Sequence, residues 1–169
     1  MDRAILKIIS ENKNYLAINK SSQIHSVKIK NKDELLKASV ADLLIERDGD
    51  AISYSDKVED GGLLNRLDYE TSGVLIAAKN RKAWLRGREI LLSGKIEKSY
   101  LALVEGQVKE GFELETFFGT PYRRAKKVKI YKSKPGKDAR ALEAKSEVNV
   151  VSYDKERDCL LYTSPSPRD

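Results

Sequence analysis

The chain has almost no soft metal ligands: its 169 residues include one cysteine, Cys159, and one histidine, His25. That pair cannot supply a disulfide framework, a four-ligand zinc site or a Cys/His nucleophile couple. No apolar run approaches the roughly 20 residues needed to cross a bilayer, and Met1-Asp2-Arg3 does not open a signal-peptide pattern. The expectation is a cytoplasmic protein with no membrane partner and no metal. There is no internal repeat, and no domain linker precedes residue 158. Acidic residues are outnumbered, with 26 Asp and Glu against 32 Lys and Arg, and the net charge of +6 favours an anionic partner such as RNA. Since charged residues make up 34% of the chain, most of them read as solvated faces. The length fits one domain, and 40% hydrophobic residues suffice for an ordinary core.

Taken in order, Ile5 to Ile9 and Tyr15 to Asn19 are short apolar stretches separated by polar residues, which predicts a hairpin-like pair of strands ended by Lys20-Ser21-Ser22-Gln23. Asp33 can cap a helix through Leu36, Val40, Leu43 and Leu44 that stops near Arg47. Asp50 to Asp60 reads as a loop. Asn80 is a plausible cap for a second helix carrying Ala83, Trp84, Ile90 and Leu91 and closed by Gly94; Trp84 reads as packing rather than as a base-stacking group. Ser99 to Glu105 alternates as a half-buried strand, with Tyr100, Ala102 and Val104 on one side. Phe112 to Phe118 and Ala141 to Tyr153 are further strands. The sum is a mixed α+β domain, largely antiparallel sheet flanked by helices.

The stretch from Gly61 to Asn80, GGLLNRLDYETSGVLIAAKN, sets a carboxylate, Asp68, in a polar turn that runs straight into the apolar strand Val74 to Ala78. A loop fixed by a buried strand is a place where sites tend to lie. An isolated Arg-x-Asp would ordinarily be a surface ion pair or a turn cap. Further on, Arg123, Arg124, Lys126 and Lys127, followed by Lys129, Lys132, Lys134 and Lys137, form the main basic cluster. It reads either as an arm contacting RNA phosphates or as a solvated hairpin tip, with Tyr122 and Tyr131 either stacking on bases or packing.

The last eleven residues, CLLYTSPSPRD, break the pattern: a possible strand start gives way to alternating Ser and Pro with no core to join. They also coincide, residue for residue, with the translation of a transposase-type sequencing adapter. The expectation is a native chain over residues 1–158, an adapter-derived tail over 159–169, and a natural protein that continues beyond this fragment.

Asn65-Arg66-Leu67-Asp68, with Thr71-Ser72-Gly73 and the strand Val74 to Lys79, resembles the signature of the RluA family of pseudouridine synthases, commonly His-Arg-Leu-Asp-x-x-Thr-Ser-Gly before an apolar strand. Lys98 to Gly106 resembles the second motif of that family, Lys-x-Tyr-x-Ala-x-Val-x-Gly, and Tyr15 to Lys20 resembles its opening strand and lysine. The resemblance spans about Ile5 to Asp158. It implies a pseudouridine synthase-like catalytic domain, incomplete at its C-terminus, that isomerises uridines in structured RNA, ribosomal or transfer, without cofactor or metal. It implies that Asp68 is the catalytic aspartate, as nucleophile at C1′ or as base, that Arg66 helps flip the target nucleotide, and that Tyr100 packs on the flipped uracil. A base inside a helix cannot present its sugar carbon, so extrusion is a physical requirement. The expected assembly is a monomer.

Two departures stand out. Asn65 occupies the usual histidine position, and the later Gly-Arg-Thr-His-Gln-Ile-Arg motif, which supplies a basic partner for the aspartate, is absent. The polypeptide as written is therefore expected to be poorly stable and inactive. The rival from another class is a non-catalytic basic RNA-binding module. A carboxylate-pair glycosidase would need a second acid about 5–10 Å away, for which Glu70 is a candidate only by nearness in sequence.

Overall fold

The computed structural model describes residues 6–28, 38–106, 110–122, 128–134, 140–154, 156 and 159–166. The backbone divides into two compact units, Met1–Leu92 and Ser93–Asp169.

The first unit is built on a three-stranded antiparallel sheet ordered β1-β2-β3, from β1 (Lys7–Glu11), β2 (Tyr15–Lys20) and β3 (Gly73–Ala78). The expected amino-terminal hairpin is present. Its first strand is shifted two residues along the chain, and all five of its side chains are exposed. Register explains the rest of the layer. Leu16 faces Ala77 and Ile18 faces Leu75, so these four side chains share one side of the sheet; Tyr15 faces Ala78 and Ala17 faces Ile76 on the other. The first set forms a core with Val40, Ala41 and Leu44 of helix α1 (Val40–Arg47). Ala78 forms a second core with Leu64 and with Ala83 and Trp84 of helix α2 (Arg81–Leu92), against which Tyr15 and Ile76 pack. A sheet covered on both faces needs apolar residues at consecutive positions, and Leu75-Ile76-Ala77-Ala78 supplies them.

The ends of α1 differ from expectation in an instructive way. It stops at Arg47 as the spacing predicts, but its N-cap is Ser39: the hydroxyl accepts from the Asp42 N–H at 3.2 Å while Asp42 Oδ2 accepts from the Ser39 N–H at 2.9 Å, a reciprocal box that satisfies orphan donors. The expected cap Asp33 and Leu36 lie outside the described residues. The next two donors are also used, Val40 N–H by the His25 carbonyl and Ala41 N–H by that of Ser26. Asn80 caps α2 as expected, accepting from Ala83 N–H at 2.8 Å, and Gly94 follows the helix with φ of 69°. Trp84 is core, donating its indole N–H to the Leu63 carbonyl. The segment expected as a loop from Asp50 to Asp60 carries two short 3₁₀ turns, Gly49–Ser53 and Val58–Asp60, with Ala51 and Ser55 buried.

The second unit is a five-stranded antiparallel sheet ordered β4-β8-β7-β5-β6, from β4 (Lys98–Glu105), β5 (Phe112–Thr120), β6 (Lys129–Tyr131), β7 (Arg140–Asp154) and β8 (Cys159–Ser166). The three strands expected before residue 158 in this unit, Ser99 to Glu105, Phe112 to Phe118 and Ala141 to Tyr153, all appear, and the short β6 is an addition to them. The tail does not behave as a stretch with no core to join. Cys159 to Thr163 pairs with β4 on one side and β7 on the other, and Leu160 is fully buried. Leu, Tyr and Thr are strand formers, which explains the pairing whatever their origin. Pro165 opposes Ser99 of β4 beyond the last β7 pair, Asn149 with Thr163, so it falls where β8 has a neighbour on one side only.

Candidate active site

The chain reaches the site through Gly61 and Gly62. Gly62 has φ of 84° and lies so close to β3 that a Cβ would sit 2.7 Å from the Ala78 carbonyl oxygen. Only glycine accommodates both conditions. From there the chain runs alongside β3, with Leu64 N–H donating to the Ile76 carbonyl at 2.8 Å and Leu63 bridging Ala77.

Asn65 continues that ladder with its side chain. Its amide nitrogen donates to the Val74 carbonyl at 3.2 Å and its amide oxygen accepts from Ile76 N–H at 2.9 Å, in the manner of one more strand residue. The residue that departs from the family pattern thus has a structural task here: it holds the base of the 66–73 turn against β3.

Beyond Asn65, exposure alternates. Arg66, Asp68 and Glu70 are exposed, whereas Leu67 and Tyr69 are half-buried. The half-buried residues are tied to the loop that follows β2. Ser26 Oγ donates to the Leu67 carbonyl at 2.7 Å and accepts from the Leu67 N–H at 2.9 Å. The Tyr69 carbonyl accepts from Gln23 N–H at 2.7 Å and from Lys20 Nζ at 3.4 Å, and the His25 and Tyr69 rings lie 4.5 Å apart. Asp68 sits between two anchored neighbours. Its own carbonyl accepts from Thr71 N–H at 3.1 Å, closing the turn. The result is an exposed carboxylate on a braced backbone.

Lys20 feels the charge of Asp68. Burial pulls its ammonium below the usual lysine range, and the Asp68 charge partly offsets that pull. Among the described residues no group of three or more His, Cys, Asp or Glu could hold a metal ion.

Of the residues singled out from the sequence, Arg66 and Asp68 lie on one exposed edge of the same turn. Tyr100 belongs to the second unit, half-buried on β4 with Ala102 on the same side of the strand. Arg123, Arg124, Lys126 and Lys127 lie outside the described residues, in the connection between β5 and β6. Of the tyrosines beside them, Tyr122 is exposed and Tyr131 has a buried hydroxyl without a hydrogen-bond partner among the described residues. Sequence reasoning missed Ser26 and the bracing role of Lys20. The signal for Lys20 was there: in β2 it follows Leu16 and Ile18 at intervals of two, which places it on their buried face.

The model of a family described as RNA pseudouridylate synthase matches residues 14–164. The chain belongs to the RNA pseudouridylate synthase family. This is the family to which the Asn65–Ala78 and Lys98–Gly106 motifs point. An uncharacterized RNA pseudouridine synthase of Helicobacter pylori is 33% identical over 66 residues, which is 39% of this chain and 22% of that protein. The ribosomal large subunit pseudouridine synthase C of Escherichia coli K12 is 51% identical over 45 residues, 27% of this chain and 14% of that protein. The matched stretches thus amount to less than a quarter of these relatives. Among solved structures, human RNA pseudouridylate synthase domain containing 1 superposes with a TM-score of 0.70 at 18% identity, covering 100% of this chain and 63% of that one. The corresponding domain containing 4 gives 0.66 at 19% identity, covering 96% and 59%. Both share the synthase fold, and the α+β architecture follows the family.

Proposed function

We propose that this chain is part of an enzyme that converts uridine in structured RNA to pseudouridine, with Asp68 as the reacting carboxylate. The reaction balances as an isomerisation. The N1–C1′ bond of the nucleotide breaks, the uracil turns, a C5–C1′ bond forms, the C5 hydrogen leaves as a proton and N1 gains one. No redox partner is required. A carboxylate can act either as nucleophile at C1′ or as base, and the anchored Asp68 suits both roles. The observation that carries the reading is the bracing of Leu67 and Tyr69 on either side of an exposed Asp68. Preorganisation of this kind is what positioning a reacting group requires.

In this reading Arg66, on the same exposed edge, assists extrusion of the target nucleotide, and Tyr100 stacks on the uracil. Arg123, Arg124, Lys126 and Lys127 contact RNA phosphates. The names of the bacterial relatives make large-subunit ribosomal RNA the first substrate to test; transfer RNA is the second. The protein acts as a cytoplasmic monomer.

The adapter-like residues 159–169 make the chain an interrupted version of a longer natural protein, poorly stable and inactive as it stands. Support comes from the second sheet, where Leu101, Leu103, Ile130 and Leu142 are each more than two-thirds exposed. RNA labelled with tritium at uracil C5 tests both statements. The protein from the uninterrupted gene is expected to release tritium in step with pseudouridine formation, and the 169-residue chain to release none. Absence of release from the uninterrupted protein on both RNA classes would overturn the assignment, and release by the short chain would overturn its inactivity.

A further inference from the structure

Helix α2 carries four cations, Arg81, Lys82, Arg86 and Arg88, against one carboxylate, Glu89, and all of them are exposed. Charge of this kind is ordinarily a solvated face, so what matters is which cations are already paired and where each one stands. Arg81 is committed: its guanidinium pairs with Asp56 at 2.7 Å and lies 4.7 Å from the centre of the Trp84 ring. Arg88 is not. It stands at the outer limit of contact with the same ring, at 5.9 Å, and has no ion-pair partner among the described residues.

The packing of α2 decides where Arg88 lies. Trp84 donates its indole N–H to the Leu63 carbonyl, and Gly87 comes so near Leu64 that a Cβ would sit 2.5 Å from its Cδ1. One flank of the helix therefore rests along the run that leads into the Asp68 turn. The helix starts at Tyr54, whose carbonyl accepts from Arg81 at 3.4 Å and whose side chain lies beside Gly62, and it reaches Leu64 only at Gly87. It thus advances in the same sense as the chain from Gly62 toward Arg66. Arg88 follows Gly87 and shares the flank of Trp84, one turn earlier. The opposite flank is turned toward β2, where the Ala83 carbonyl accepts from the Tyr15 hydroxyl at 3.1 Å. Arg86, three residues on from Ala83, belongs to that side. Two residues apart, Arg86 and Arg88 are separated by about 200° around the helix.

We propose that Arg88 contacts a phosphate of the RNA strand beside the target nucleotide, lengthening along α2 the basic edge that Arg66 begins next to Asp68. The inference rests on the reading of the chain as part of an RNA uridine isomerase. An exposed guanidinium with no acid to satisfy it offers its donors to a polyanion, and its fork matches phosphate oxygens. Arg66 is also exposed and without an ion pair among the described residues. Phosphate contacts fix the register of a strand without reading its bases, which is what a site acting on one nucleotide of a long polymer needs from its flank.

The test is RNA binding against salt in the longer protein proposed above, for Arg88→Gln, Arg86→Gln and Arg88→Lys. Both arginines are exposed, so neither change threatens folding. Each Gln variant removes one positive charge from the same helix, so an effect of net charge alone would weaken both equally. Arg88→Gln is expected to weaken binding roughly 5- to 10-fold at low salt and to raise KM with kcat little changed. Its plot of log affinity against log salt should be shallower by about 0.7–0.9, the share of one phosphate. Arg86→Gln should leave affinity and slope near wild type, and Arg88→Lys should restore the slope with part of the affinity. Equal losses in the two Gln variants, or an unchanged slope in Arg88→Gln, overturn the proposal. A parent protein that binds RNA with the expected difference yet forms no pseudouridine would defeat the proposed function and leave this contact standing; one that binds no RNA overturns both.

Discussion

The two sheets of this protein are built from similarly apolar strands and bury them very differently. In the first unit, β2 and β3 lie between α1 and α2, and Leu16, Ile18, Leu75 and Ala77 are withdrawn from water. In the second, the described residues include no helix; Val148 and Leu160 are the buried hydrophobic side chains, while Leu101, Leu103, Leu114, Phe118 and Leu142 are exposed. Backbone pairing alone organises a sheet, but it removes little side-chain surface from water. Burial needs a second layer. The candidate reacting carboxylate stands on the layered unit, where a rigid core can support a braced turn.

This contrast can be broken most sharply by truncating one leucine in each unit. Leu75→Ala, at 0% exposed in the middle layer, is expected to cost about 3–5 kcal/mol in denaturant unfolding. Leu142→Ala, at 69% exposed, should stay within about 0.5 kcal/mol. Equal costs would mean that the second sheet is covered in solution, and the contrast would fail. Next in size is Gly62→Ala, which must place a side chain at φ of 84° and 2.7 Å from the Ala78 carbonyl oxygen. A loss of about 1–3 kcal/mol is expected from strain and overpacking, together with faster amide exchange at Leu64. Ser39→Ala removes the cap of α1 and should cost about 1 kcal/mol by the same unfolding measurement.

The smallest effect concerns the exposed cluster that ties β1 to the rest of its unit. Glu11 accepts from Lys79 and from Arg47, and these bonds, Lys79 first, hold its carboxyl below the usual carboxylate range. A lowered pKa in the folded state gives a contribution present above the ordinary carboxylate value and lost as pH falls through the lowered one. Glu11→Gln should therefore narrow the gap to wild type in thermal midpoint as the pH drops from 7 toward 3. A gap that widens on acidification would contradict the pairing.

Much of this architecture was legible from residue order. Period-two alternation located β4 and β7, and the Asn80 and Gly94 signals bounded α2, because these depend on local chemistry. Ser39 was overlooked as a cap in favour of Asp33, since the choice turned on Asp42 reaching back three residues and on carbonyls of His25 and Ser26 contributed by a distant loop. The burial of Ala51 and Ser55 could not be read locally, for the same reason. At the site, the motif pointed to Asp68 directly. Its support was harder to see: Asn65 acts through a side chain that imitates backbone, and Ser26 and Lys20 act across more than forty residues of sequence. The tail shows the converse difficulty, because a strand-forming run such as Cys-Leu-Leu-Tyr-Thr pairs into a sheet regardless of where it came from.

The central claim is that Asp68 is the reacting carboxylate on a turn braced for that purpose. It is tested most directly by replacing Asp68 with Asn in the longer protein proposed above and measuring pseudouridine formation alongside RNA binding. The account predicts that pseudouridine formation falls to background while RNA affinity and thermal stability stay near wild type. Pseudouridine formation at the wild-type rate by Asp68→Asn would contradict it.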